Sequence, residues 1–258
     1  MAFHRASALL FRAAVAALLF TLFTACAAAQ QLHPCIESHA AITPPDPCAD
    51  VAADARPACM AYVRRAYAST VYVHVSRYTA AEGMSYGAGT GEVIDARGTV
   101  LTAYHVVQNA RLVVVGTRRL ADNGRDVIRD RDIPMEVVST APALDVALLR
   151  PAEAAEAANL PPPFVVRRSA PAVGERLWHF GNVSFWSHGR VEAVGVTYDG
   201  TAGLTRVSFP CRHGDSGGPF VDSDGRLVGV LLKKDGGEGE GHTFYMPVAV
   251  ALDALGYH

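Results

Sequence analysis

The chain has 258 residues, half of them apolar, and a formal net charge of −2. That length holds one two-lobed domain or two small ones around a sizeable core. Lys and Arg are scattered and the net charge is slightly negative, so nothing in the composition points to a nucleic-acid partner.

The N-terminus reads as an export signal. His4, Arg5 and Arg12 make a positive start, residues 13–25 are apolar apart from two threonines, and Ala27-Ala28-Ala29 fits a small-residue cleavage site. The signal therefore spans residues 1–29. Two rival readings stand beside it. A retained anchor would need the ~20 apolar residues of a membrane span, which this run falls short of. Lipidation at Cys26 would attach the protein to a membrane, because Thr24-Ala25-Cys26 resembles the end of a bacterial lipobox. All three place the mature chain outside the cytoplasm, secreted or periplasmic. There Cys35, Cys48, Cys59 and Cys211 suffice for two disulfides, in any of three pairings. Cys211 alone lies beyond residue 66, so any bond it makes reaches back to the N-terminal arm.

Residues 30–66 form that arm. Thr43-Pro44-Pro45-Asp46-Pro47 excludes regular structure. Pro57 opens a short helix that places Met60, Val63 and Tyr67 on one face. From residue 67 onward the pattern changes to short strands. Residues 71–75 are β-prone, and 91–95 and 99–102 flank a turn at Ala96-Arg97-Gly98. Strands at 111–115, 133–139 and 146–149 follow. Between them, residues 118–132 carry charges of both signs and read as a solvated loop; Asp122-Asn123-Gly124 lacks the ligand spacing of a calcium site. Residues 151–163, an Ala/Glu run followed by three prolines, link two lobes. The second lobe repeats the rhythm at 164–167, 176–180, 190–196, 204–209, 220–221, 227–232 and 242–246. Residues 248–255 make a closing helix, after which no further module is expected. Many short strands with frequent turns predict an all-β barrel architecture.

One stretch carries most of the chemistry: Cys211-Arg212-His213-Gly214-Asp215-Ser216-Gly217-Gly218-Pro219. A serine among glycines leaves room for a substrate carbonyl. Gly214 can take backbone angles closed to other residues, which lets the amides of Gly214 and Ser216 point at one spot where an oxyanion forms. A serine needs an adjacent base to become a nucleophile. Residues 98–107 form an apolar run containing His105, and Asp145 stands at the mouth of the apolar strand 146–149.

These segments, in the order His, Asp, Ser, resemble the chymotrypsin-like (trypsin-like) serine peptidases, and within them the bacterial HtrA/Deg protease domain without its PDZ domains. The resemblance covers about residues 67–255. It implies two six-stranded antiparallel β-barrels, at about 67–150 and 164–258, with a short helix at each end and the active site in the cleft between them. It implies that Ser216 is the nucleophile, His105 the general base and then acid, and Asp145 the group that orients the imidazole, with the Gly214 and Ser216 amides as the oxyanion hole. Asp130 and Asp132 are rivals of Asp145, but they lie in a charged stretch rather than against apolar strands. No metal or cofactor is implied, and the partners are protein or peptide substrates.

Three departures bear on that likeness. Tyr104 stands where the family has a small residue. No activation sequence precedes Val71, so Asp215 needs a partner other than a new N-terminal amine, and Arg212 is a candidate on charge. Pro210 occupies the position of the pocket aspartate in trypsins, which argues against a preference for basic residues. His213, Lys233, Lys234 and Thr243 would line a cationic pocket suited to acidic side chains, whereas Leu232 and its neighbour Leu231 would make a small apolar one. The reading is an exported serine endopeptidase working through an acyl-enzyme; the alternative is a silent binding module on the same fold.

Overall fold

A computed structural model describes residues 46, 48–49, 51–81, 83–121, 127–237 and 241–258. The export signal, Cys26, Cys35 and the Asp122-Asn123-Gly124 stretch lie outside them. None of the described helices is long and apolar enough to cross a membrane.

Two barrels are present, as the strand rhythm predicts. The first closes in the order β1-β2-β3-β6-β5-β4. Its strands are β1 (Thr70–Thr79), β2 (Gly83–Val93), β3 (Val100–Ala103), β4 (Leu112–Leu120), β5 (Val127–Ala141) and β6 (Val146–Pro151). All pairings are antiparallel, and β4 returns to β1. The two-residue period explains the closure. Val71, Val73 and Val75 of β1 point inward and are buried, while Tyr72 and His74 face outward. The short strands β3 and β6 are buried almost throughout, and each large aliphatic such as Leu101 or Leu149 contributes about 1.5–3 kcal/mol by leaving water.

The second barrel contains β8 (Arg176–Gly181), β9 (Phe185–Tyr198), β10 (Thr201–Val207), β11 (Pro219–Val221), β12 (Arg226–Lys234) and β13 (Thr243–Pro247). It runs β11-β8-β9-β10-β13-β12 and closes by pairing of β11 with β12. Leu177, Val191, Val207, Phe209, Phe220 and Tyr245 fill it. The segment expected as its opening strand, 164–167, yields only β7 (Val165–Val166), which lies parallel along β12 outside the closed barrel. Two residues cannot form a barrel stave, and Val165 is exposed.

The charged stretch 118–132 corrects the sequence expectation. Most of it is strand: β4 continues to Leu120 and β5 begins at Val127. The charges occupy both faces of a ribbon that is solvent-accessible there and pair across or along it, Arg119 with Asp130 and Arg129 with Asp132, so polarity alone did not signal a loop. Arg118 is the exception, being buried.

Helix α1 (Arg56–Ala68) has Pro57 in its first turn and buries Val63, Ala66 and Tyr67, an i, i+3, i+4 stripe. The Cys48–Cys59 disulfide fastens the preceding arm to it, and the Tyr62 hydroxyl donates to the Asp222 carbonyl at 2.9 Å. Helix α2 (Tyr104–Val107) is a single turn after β3, and α3 (Val248–Ala254) closes the chain.

Two buried titratable groups set expectations for stability. Glu92 on β2 is wholly buried and neither carboxyl oxygen has a hydrogen-bond partner among the described residues. Desolvation pushes its pKa well above the ordinary value. The unfolded carboxyl ionises freely while the folded one resists, so this residue costs stability as pH rises above the ordinary carboxyl range. Glu92→Leu is therefore expected to raise the urea-unfolding free energy at pH 8 by about 1–3 kcal/mol, and a variant no more stable than the parent would contradict this account. His179 on β8 is also fully buried, and burial lowers its pKa to about 4 despite the nearby Asp215 carboxylate. The unfolded imidazole takes up a proton below its ordinary value of about 6.5, whereas the native one holds out to about 4. Stability contributed by the neutral ring is thus lost progressively across that window. His179→Gln should flatten the fall in urea midpoint between these two pH values; an unchanged slope would refute the assignment.

Candidate active site

The site is assembled where β3 ends and the loop before β11 returns. The run containing His105 is not strand to its end. It turns at Ala103 into α2, so that His105 projects from a helical turn, 43% exposed at its side chain, while Val106 and Val107 anchor that turn in the core. Arg77 of β1 donates to the carbonyls of Val106 and Gln108 and holds the far end of the turn.

Asp145 follows a 3₁₀ turn over Pro142–Leu144 and precedes β6. Its φ is +57°, a left-handed conformation that Asp tolerates better than most residues. This kink aims the carboxylate at α2. Asp145 Oδ2 lies 2.7 Å from His105 Nδ1, and Oδ1 accepts the His105 backbone N–H at 2.8 Å. The Tyr104 N–H donates to the Asp145 carbonyl at 2.9 Å. A carboxylate only accepts, so the proton shared by this pair belongs to Nδ1, and Nε2 is left as the basic nitrogen. Tyr104 itself is half-buried and packs against the core, which accommodates the departure at that position. Asp130 and Asp132 are engaged by arginines on the β4–β5 ribbon.

The serine loop is held from both barrels. Thr90 of β2 is the principal clamp on the first-barrel side. Its N–H donates to the Ser216 carbonyl at 2.8 Å, its hydroxyl donates to the Gly214 carbonyl at 2.8 Å, and that hydroxyl accepts from the Asn182 N–H at 3.0 Å. From the second barrel, the Gly217 N–H donates to Leu231 O at 2.7 Å. Gly217 has φ +83°, and a Cβ there would lie 2.2 Å from the Thr90 carbonyl and 2.9 Å from the Ala103 nitrogen, two residues before His105. Only glycine fits that approach. Thr90→Val, nearly isosteric, should slow any reaction at Ser216 about tenfold by releasing Gly214; a serine-directed probe reacting at the parent rate would exclude the clamp.

Asp215 is fully buried and its carboxylate is saturated. It accepts from the N–H groups of Val183 at 2.9 Å, Ser184 at 3.0 Å and Arg212 at 2.9 Å, and from the Ser184 hydroxyl. The partner expected from charge, the Arg212 side chain, is exposed; Arg212 contributes its backbone instead. Within the loop the amides of Asp215, Gly217 and Gly218 are all spent on carbonyls. Those of Gly214 and Ser216 find no acceptor among the described residues, and Gly214 has φ +98°. Two unspent donors flanking one peptide are the arrangement that can receive a developing oxyanion. Nε2 of His105 and Oγ of Ser216 likewise have no hydrogen-bond partner among the described residues. The chain thus joins Asp145 to His105 directly, and brings the Ser216 backbone onto the ladder that carries His105, without a closed His–Ser hydrogen bond.

The residues expected to line a cationic pocket are largely committed elsewhere. Lys233 Nζ lies 2.8 Å from Asp199 Oδ2, and Lys234 Nζ donates to the Gly237 carbonyl at 3.2 Å. The buried Thr243 hydroxyl donates to Phe209 O at 2.6 Å. Leu232 is buried at a bulge in β12, while Pro210 and His213 are exposed. Thr90, Val183 and Ser184 were not foreseen. They act through backbone groups or across more than thirty residues, and only the two glycines flanking Thr90 hinted at a close approach.

Comparison with known proteins gives a consistent picture. The profile of the trypsin-like peptidase domain matches residues 89–230. A probable periplasmic serine endoprotease, DegP-like, from Pseudomonas putida is 30% identical over 174 residues, covering 64% of this chain and 33% of the relative. Its namesake from Halomonas elongata is 27% identical over 174 residues, covering 64% and 34%. The chain thus spans about a third of the length of these curated relatives. Among solved structures, the HtrA-type protease AlgW with a tripeptide aligns with a TM-score of 0.60 at 22% identity, over 75% of this chain and 61% of that one. The MamO protease domain from Magnetospirillum magneticum aligns with a TM-score of 0.55 at 23% identity, over 74% of this chain and 97% of that one. At these identities the structural likeness speaks for the fold.

Proposed function

The chain belongs to the trypsin-like peptidase family, and from that premise we propose that it is an exported serine endopeptidase using Ser216, His105 and Asp145. The observation that supports this most is the Asp145–His105 pair, 2.7 Å apart, beside a serine loop whose Gly214 and Ser216 amides are unspent.

In this reading Ser216 Oγ attacks a substrate carbonyl and its proton passes to His105 Nε2. Asp145 stabilises the imidazolium and holds the tautomer. The carbonyl oxygen, now negative, accepts from the Gly214 and Ser216 amides, each donor contributing about 10²–10³ in rate. The imidazolium returns its proton to the leaving amine, and water, activated by the same nitrogen, releases the acyl group. Lys233 is neutralised by Asp199, so the pocket is not expected to favour acidic side chains; a peptide library cleaved mainly after Glu or Asp would overturn that. Localisation outside the cytoplasm rests on the export signal; lipidation at Cys26, which would attach the chain to a membrane, is the alternative to cleavage after Ala29.

The open contact between His105 Nε2 and Ser216 Oγ favours a second reading, a silent binding module on the same fold. Such contacts are loose in many unliganded enzymes and tighten when substrate binds. Treatment with an organofluorophosphonate separates the two readings. A peptidase is labelled at Ser216 and loses labelling in His105→Ala; a silent module is not labelled.

A further inference from the structure

We propose that Arg118 is a positioning residue for the serine loop: its buried guanidinium fixes the turn at residues 181–184, and through that turn the carboxylate of Asp215. This deepens the reading of Ser216 as nucleophile and rests on it for its kinetic consequence.

The sequence leaves Asp215 in need of a partner other than a new N-terminal amine. The described structure places a full cation nearby, deep between the barrels. Arg118 of β4 is 2% exposed. A register shift between Thr117 and Arg118 in the β4–β5 ladder marks its position, on the outer face of the first barrel. That face is covered. The guanidinium carbon lies 4.0 Å from the ring centre of Tyr67 on α1 and 4.1 Å from that of Tyr72 on β1, held between the two aromatics. Nη2 donates to the Gly181 carbonyl, in the second barrel, at 3.0 Å. Nε and Nη1 have no hydrogen-bond partner among the described residues. Burial opposes the charge, but the two tyrosines and the Asp215 carboxylate outweigh it, so the group stays a cation.

Gly181 is the link. A Cβ placed there would lie 2.2 Å from Asp215 Oδ1, so this backbone is pressed against the carboxylate. Next in the chain, Asn182 donates to the Thr90 hydroxyl, and Val183 and Ser184 donate to Asp215. Holding the Gly181 carbonyl therefore aims consecutive N–H groups at the clamp and at Asp215. A buried arginine with two nitrogens lacking hydrogen-bond partners among the described residues is costly unless its charge has something to face. Here it lies between two ring systems, and the Asp215 carboxylate beside the nucleophile acts on it at a longer range than an ion pair. The same contact ties α1, fastened by the Cys48–Cys59 disulfide, to the reactive loop through Tyr67.

The test uses the full chain with Arg118→Met, and with Tyr72→Leu, which keeps the charge and removes one half-buried ring. Two readouts are taken, both normalised to folded protein. Amide hydrogen exchange at Val183, Ser184 and Arg212 is expected to accelerate at least tenfold in Arg118→Met and less in Tyr72→Leu. This readout does not depend on catalysis. Fluorophosphonate labelling of Ser216 is expected to show a maximal rate at least tenfold lower with an unchanged apparent affinity for the probe. Unchanged exchange protection in whichever variant folds overturns the proposal, whatever the labelling shows. Accelerated exchange with labelling at the parent rate overturns the link to reactivity. Failure of the parent protein to label, with exchange accelerated in the variants, sinks the peptidase reading and leaves the structural link standing.

Discussion

Asp145→Asn is expected to slow acylation of Ser216 by about 10⁴-fold with the fold intact. The argument begins at the backbone. Asp145 sits at φ +57°, where Asn is at least as comfortable as Asp, so the substitution adds no strain. The Tyr104 N–H keeps its acceptor, because that bond goes to the main-chain carbonyl. What changes is the side chain facing Nδ1. An amide has one acceptor oxygen where the carboxylate had two, and the carboxylate's oxygens are both in use, one on the His105 N–H and one on Nδ1. If the amide oxygen keeps the backbone bond, an NH₂ faces Nδ1. The imidazole then carries its proton on Nε2 and cannot accept one from the serine. The negative charge that would stabilise the imidazolium is lost as well. The check is the rate of fluorophosphonate labelling, with thermal unfolding as the control for folding. Labelling within tenfold of the parent would remove Asp145 from the mechanism. Asp130→Asn and Asp132→Asn, at exposed ion pairs, are expected to change stability by less than about 0.5 kcal/mol and labelling not at all.

Asp215→Ala is expected to damage stability and reactivity together. The carboxylate accepts from three backbone N–H groups and one hydroxyl, contributed by the 181–184 turn and by its own loop. Alanine leaves these donors without an acceptor in a site closed to water. Removing one member of a buried charged network costs on the order of 3–5 kcal/mol. Urea unfolding measures it, and a midpoint equal to the parent's would contradict the burial argument. Turnover should fall further than the folded fraction accounts for. The residue lies between Gly214 and Ser216, and aiming their amides depends on this anchor; losing one oxyanion donor alone costs about 10²–10³. Asp215→Asn, which keeps the volume and one acceptor, should fall between.

Not all of this was legible in the chain. The strands of the first barrel announced themselves through alternation in residues 71–75 and through the apolar runs at 99–102 and 146–149. Their lengths did not. β4 and β5 extend through a charged segment that reads as loop, because a two-stranded ribbon accessible to solvent on both faces can carry arginines and aspartates that pair with one another. Arg118 was invisible for the same reason. Nothing local separates it from the exposed Arg119 beside it; its burial follows from α1 and the second barrel closing over that face. The likeness of residues 164–167 to a strand was genuine but too short, and it pairs as an edge outside the closed barrel.

Local chemistry by itself determined the serine loop, since glycine at 214 and 217 is demanded by backbone angle and close approach, and it singled out an imidazole and a carboxylate at the ends of apolar strands. It also determined that the chain would be β-rich, because a two-residue period is written into the strands themselves. Only the tertiary structure decided what those groups touch. The 2.7 Å contact of Asp145 with His105, the three-way clamp at Thr90, and the choice of Val183 and Ser184 as donors to Asp215 join segments 30 to 130 residues apart. Hydrogen bonds made by backbone amides leave no mark on residue identity, and a buried cation looks in sequence like any other arginine until two barrels fold around it.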